Sequence, residues 1–192
     1  MGYKLQLMNI FYLHKDPEVS AKMHCDKHVV KMIIEYAQML STAHRMLDGK
    51  IVRKPSRSGK TMVKYYDLYE GADDLEAENT YYHAVHFNHP CNVWIRESHE
   101  NYIHLYKLFV ALCDEYKYRY GRSHMTDTKL REPLWSLPRN IPKKPFTNPP
   151  QAMPDYCKRD DSIDAYRTYY INEKKRFAKW TKRQIPYWFW AA

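Results

Sequence analysis

The residues best placed to do chemistry lie early in the chain. His24, His28, Lys31, Glu35, Gln38 and Thr42 are spaced 4, 3, 4, 3, 4, which sets them in one stripe along a helix. Val29, Val30, Met32, Ile33, Ile34, Tyr36, Ala37, Met39 and Leu40 make the other faces apolar. A helix so apolar is buried, so its polar stripe is expected to line a solvated surface or a cleft. Lys31 and Glu35 pair one turn apart. In a cleft near cationic groups, Glu35 would stabilise a positively charged intermediate or move protons. The plainer alternative is a solvated face carrying a paired carboxylate.

Metal chemistry is a second possibility. His24 and His28 stand one turn apart, and His83, His86, His89 and Cys91 cluster in a turn, so four ligands could converge on an ion for a phosphohydrolase or nuclease. The spacing matches no known zinc module, and the expectation is no metal and no cofactor. The four cysteines, Cys25, Cys91, Cys113 and Cys157, form no C-x-x-C pair and read as reduced thiols.

A third group binds rather than reacts. From Lys158 to Arg183 there are nine Lys and Arg against four Asp and Glu. Lys174, Lys175, Arg176, Lys179, Lys182 and Arg183 interleave there with Tyr166, Tyr169, Tyr170, Phe177 and Trp180. Such a segment can grip phosphates and stack on exposed bases. Arg96, Asn101 and Arg119 on an earlier helix are further candidates for contact with nucleic acid, and Trp180 is a candidate stacking platform.

The elements that must carry these groups follow from the pattern. Asp16-Pro17-Glu18 opens a helix that runs to Leu47, with a break at His24-Cys25-Asp26-Lys27 and a stop at Gly49. A second helix is expected from Asn92 to Tyr120, ended by Gly121, and a third from Asp161 or Ser162 to Arg183. Met8–Leu13 reads as an extended packed segment. Residues 50–79 read as an exposed excursion, basic and then acidic, with a short hairpin at Ser58-Gly59. Ser58-Gly59-Lys60-Thr61 mimics the end of a phosphate loop, but Lys54 stands where the first Gly is required. Seven of the eleven prolines fall between Pro133 and Pro154. That stretch reads as a belt around the helical core, anchored by Trp135, Phe146 and Met153.

Composition bounds the rest. A chain of 192 residues, 44% hydrophobic and 28% charged, suits one mainly α domain over 1–192, a helical bundle with a proline-rich wrapping segment and little β. No apolar run is long enough for a membrane span, and the N-terminus lacks the pattern of a secretory signal. A cytoplasmic protein without a membrane partner is the expectation. The net charge is +9, and 15% of the chain is aromatic, with 18 Tyr. Both favour nucleic acid as partner, although Tyr also suits half-buried helix seams.

Several strings resemble a family of small phage-encoded proteins, which brings no activity with it: Met8-Asn9-Ile10-Phe11, Cys25 to Met32, His89-Pro90-Cys91 with Trp94, Arg96, Glu97 and Ser98, Glu115-Tyr116 with Arg119-Tyr120-Gly121, Gln151 to Asp155, and Phe177 to Trp180. They span nearly all the chain outside 50–79. More distantly, Asp26-Lys27-His28 with Glu35 seven residues on is similar to the Asp-x-His and Glu of phage-type pyrimidine-dimer DNA glycosylases. That resemblance implies a base-excising, abasic-site-nicking enzyme acting on damaged or single-stranded DNA in an infected cell. An amine attacks the sugar C1′, Glu35 stabilises the imine and His28 orients sugar or phosphate. Here Met1-Gly2 lies farther from His28 than the family's nucleophile does. The amine would then be that of Gly2, Lys27 or Lys31, with Lys31 favoured. A non-enzymatic nucleic-acid-binding protein is the alternative.

Overall fold

The computed structural model describes residues 8–56, 58–68 and 74–191. The Gly2 amine lies outside them. The chain is mainly α, with eight α-helices and one two-stranded sheet among the described residues.

Asp16 caps α1 (Pro17–Met23), its Oδ1 accepting from the N–H of Glu18 at 2.7 Å and Val19 at 3.1 Å, while Pro17 takes a position where a missing N–H costs nothing. The chain turns extended at His24 and Cys25, and α2 (Asp26–Asp48) begins. The expected break is therefore where the structure has it. Gly49 closes α2, its N–H donating to the Arg45 carbonyl at 3.0 Å.

The excursion forms an antiparallel hairpin of β1 (Lys50–Pro55) and β2 (Met62–Asp67), paired from Lys50 with Asp67 to Pro55 with Met62. Gly59 sits in its turn at φ +71°. A short α3 (Asp74–Thr80) follows. Arg45 clasps this unit to the end of α2. Its buried guanidinium donates to the carbonyls of Tyr66, Glu78, Tyr81 and Tyr82 and to Glu78 Oε2, all within 3.0 Å.

The expected second helix is two, α4 (Pro90–Glu97) and α5 (His99–Tyr120). They are broken at Ser98, whose Oγ caps α5 by accepting from Glu100 N–H. Gly121 ends α5 at φ +70°, a left-handed conformation that glycine adopts without strain. After α6 (Met125–Leu130) the proline-rich belt runs over the bundle. Proline supplies no N–H, so the belt is held chiefly by side chains that donate to its carbonyls. Tyr102 donates to Leu134, Tyr81 to Pro133, Tyr166 to Pro150, Asn9 to Ala152 and Ser98 to Pro145. Much of the tyrosine is thus spent inside the molecule. Met153 is buried as expected and Phe146 is only partly covered, but Trp135 is 69% exposed. Its neighbour Leu134 is the buried anchor.

The third helix is shorter than its periodicity predicts. α7 spans Ser162–Lys174, a turn carries the chain to Phe177, and it then leaves helical geometry, closing on α8 (Tyr187–Trp190). The cause is tertiary. The Asp26 carboxylate accepts from Thr181 N–H and Oγ1 at 2.9 Å each, and Asp26 N–H donates to the Lys179 carbonyl at 2.8 Å. Trp180 Nε1 donates to the Met23 carbonyl. These bonds draw residues 175–183 across the start of α2. α2 and α1 pack on α5 to form the core, and no helix among the described residues is long and apolar enough to cross a membrane.

Candidate functional site

Among the described residues, neither cavity is lined by the polar stripe that runs from His24 along α2. His24 and Thr42 are fully buried, and His28 and Glu35 are nearly so. Only Lys31 and Gln38 reach solvent, beside Lys27, Val30 and Ile34 on the outer face. The covering elements are the 8–13 segment and α7, which bring hydrogen-bond partners of their own. His24 Nδ1 donates to the Ser20 carbonyl at 2.7 Å, and Nε2 meets the Tyr36 hydroxyl at 3.3 Å. Burial drives the His24 imidazole down to about 4.

His28 is wedged between aromatic rings. It stacks on Phe11 with centroids 4.2 Å apart, and its Nδ1 bonds the Tyr170 hydroxyl. That hydroxyl also accepts from Cys25 N–H, so Tyr170 ties the His28 ring to the start of α2. Burial first, then His24, Lys174, Lys31 and Lys27, hold the ring well below the ordinary histidine value. Three amines from two distant parts of the sequence therefore act on one imidazole in the same direction.

Glu35 accepts from Lys31 Nζ at 2.7 Å and from Asn9 N–H. Burial raises its carboxyl above the usual range, with Lys31, Asn9 and nearby His86 opposing. Lys31 remains 59% exposed in its side chain. Glu35 and the His86 turn do approach one another, whereas His28 lies under Phe11. Two cavities, of about 720 and 700 Å³, open elsewhere, and neither is lined by His28, Lys31 or Glu35.

The basic residues divide into two sets. Lys175, Arg176, Lys179 and Lys182 are exposed, and Lys174 is partly so. Lys27 lies 4.7 Å and Arg176 6.0 Å from the Phe177 ring centroid, and Lys174 lies 4.2 Å above Tyr169, which is cation–π geometry. The other set is internal. Arg119 is 2% exposed, paired with Glu115 at 2.7 Å and Asp26 at 2.8 Å. Arg183 pairs with Glu115 at 2.8 Å. Asn101 is buried, donating to the Trp94 carbonyl and accepting from Thr147 N–H. Arg96 is half-buried and donates to the Asn92 carbonyl of its own helix. Trp180 is covered. Arg119, Asn101 and Trp180 are thus structural groups with no face left for a phosphate or base. The network of Asp26, Glu115, Arg119 and Arg183, with Glu115 and Arg119 buried and the other two partly so, is not legible in the sequence, because its members are up to 157 residues apart, 26 to 183.

No group of three or more His, Cys, Asp or Glu among the described residues is arranged to hold a metal ion. His89 instead caps α4 through Nδ1, and Cys91 is buried with its thiol pushed up to about 12. All four cysteines are buried and unbridged. Comparison with family models, curated proteins and solved structures finds no match to this chain.

Proposed function

We propose that the protein binds nucleic acid through a cationic face where the first half of α2 meets the end of α7 and the segment after it. The observation that carries this is that Phe177, 5.8 Å from the His28 ring, brings Lys27 of α2 within 4.7 Å of the segment after α7, where Lys174 and the exposed Lys175, Arg176 and Lys179 lie. Phe177 and Tyr169 lie beneath these cations. A surface with this density of like charge gains from counterion release when phosphates replace small anions. Binding should weaken steeply with salt. Changing Lys27, Lys174 and Arg176 to Gln should flatten the log–log salt slope by about one unit for each phosphate no longer neutralised. Salt-insensitive binding, or an unchanged slope in the triple variant, defeats this reading.

Base excision is the second reading, and one observation favours it. Glu35 is a carboxyl raised by burial, next to a solvent-reaching primary amine, at the edge of the same face. An imine-forming enzyme would give a borohydride-trapped adduct with abasic DNA that disappears in Lys31→Ala. The Lys31–Glu35 pair weighs against it, since the amine is already engaged by the carboxylate. Absence of any adduct on abasic or damaged DNA would leave binding alone.

A further inference from the structure

The four residues of α8, Tyr187-Trp188-Phe189-Trp190, divide sharply by exposure. Trp188 and Phe189 are buried, Trp188 against Tyr170 and Phe189 against Trp180 with centroids 4.7 Å apart. Tyr187 and Trp190, three residues apart and so on one side of the turn, are 64% and 70% exposed. Two large flat rings are thereby presented to solvent on a support fixed by their neighbours.

Both rings line the cavity of about 700 Å³, together with Ile185, Lys22, Lys182 and Arg183. No Asp or Glu is among its lining residues. The other cavity, of about 720 Å³, is lined by Asp16, Glu18, Asp114 and Glu115, and its carboxylates would repel an anion. Arg183 is occupied by Glu115 and Lys22 also faces Asp16, but Lys182 forms no ion pair among the described residues. Lys182 Nζ spends one donor on the Tyr118 carbonyl, which leaves its charge uncompensated. Arg167 lies 6.0 Å from the Tyr187 ring centroid. The volume falls in the span of small-molecule sites, roughly 300–1,000 Å³.

Exposed aromatic faces flanked by cations, with no carboxylate in the lining, suit a strand whose bases are unpaired. The rings stack on bases and the amines meet the backbone. We infer that this cleft, reached along the same C-terminal segment as the α2–α7 face, seats an unpaired nucleotide, so that the preferred ligand is single-stranded nucleic acid. The inference rests on the reading of that face as a nucleic-acid surface. A base held within duplex cannot offer its face to Trp190 without first leaving the stack.

The test compares a short labelled oligothymidylate with a hairpin duplex of matched length, by anisotropy at one salt concentration, on the full chain. The single strand should bind more tightly and quench tryptophan fluorescence. Trp190→Ala should weaken oligothymidylate binding about tenfold, the effect of losing one stacked base, while leaving the duplex affinity unchanged. Trp190→Phe should keep most of the affinity and lose part of the quenching. Thermal melting of each variant controls for folding. Equal or better binding of duplex, or a Trp190→Ala affinity unchanged for oligothymidylate, overturns the inference and leaves the cationic face standing. Failure to bind either ligand removes both.

Discussion

Mild acid should unfold this protein well before its carboxylates are neutralised. His24, His44 and His104 are each driven by burial to about 4, against an ordinary histidine value near 6.5. Depressed values in the folded state mean that the unfolded chain takes up protons first. The stability these groups contribute is complete above about pH 6.5 and is lost as pH falls toward 4. Near pH 5 the unfolded state binds almost three more protons, so the slope is about 4 kcal/mol per pH unit. Between pH 7 and 5 the loss is about 5 kcal/mol, comparable with the whole stability of many domains. His28 acts in the same direction. Glu35, raised by burial, acts weakly against it. Hydrogen bonds from Arg183 and Arg119 outweigh the burial of Glu115 and hold it below the usual range, so its contribution is lost only at still lower pH. Urea midpoints at pH 7, 6 and 5 measure the slope. His104 offers the internal control. Its Nε2 is buried without a partner, and its ring lies against Phe146 and Tyr12. His104→Phe should leave stability at pH 7 unchanged or higher and remove about a third of the slope. A protein equally stable at pH 7 and 5, or a variant with the full slope, would refute the argument.

Three further outcomes follow from the packing. Arg119→Met takes one cationic partner from each of Glu115 and Asp26, which keep Arg183 and Thr181, and should cost about 2–3 kcal/mol, read in thermal melts as a fall in midpoint of roughly 5–10 °C. Asn101→Ala removes the ties from α5 to Trp94 and Thr147 and should cost about 2 kcal/mol, with amide exchange of the belt near Thr147 rising first. Gly49→Ala puts a Cβ 2.4 Å from the Arg45 carbonyl oxygen and 2.9 Å from that of Asp67. It should destabilise by about 1–3 kcal/mol, whereas Gly59→Ala, with nothing within 4 Å, should cost only its left-handed strain, which a thermal melt of both variants separates.

Local chemistry makes much of the fold readable. Asp16-Pro17, Gly49 and Gly121 punctuate the helices because capping and left-handed turns depend on residues within a few positions. The break at Ser98 is equally local, a serine whose side chain caps the next turn, but it lies inside a continuous helical periodicity. What periodicity does not convey is which elements cover a face. The α2 stripe reads as solvated because its residues are polar, yet Asn9 and Tyr170 arrive from elsewhere and satisfy Glu35 and His28. The helical pattern past Lys174 yields to Asp26 and Met23, more than 140 positions earlier. The candidate site is legible only as charge and aromatic content. Which cations face water and which sit in the Glu115 network depends on the tertiary arrangement.

The Asp26 carboxylate, joined to Thr181 across 155 positions, also bears on how the molecule is made. While the chain is being synthesised, the opening helices must wait for about 155 further residues before Asp26 gains those partners and Trp180 reaches Met23. Closure of so large a loop is entropically costly and delays contacts of high sequence separation. The opening helices should therefore emerge with a raw edge, dependent on the arrival of the segment around Trp180 and Thr181 to be sealed.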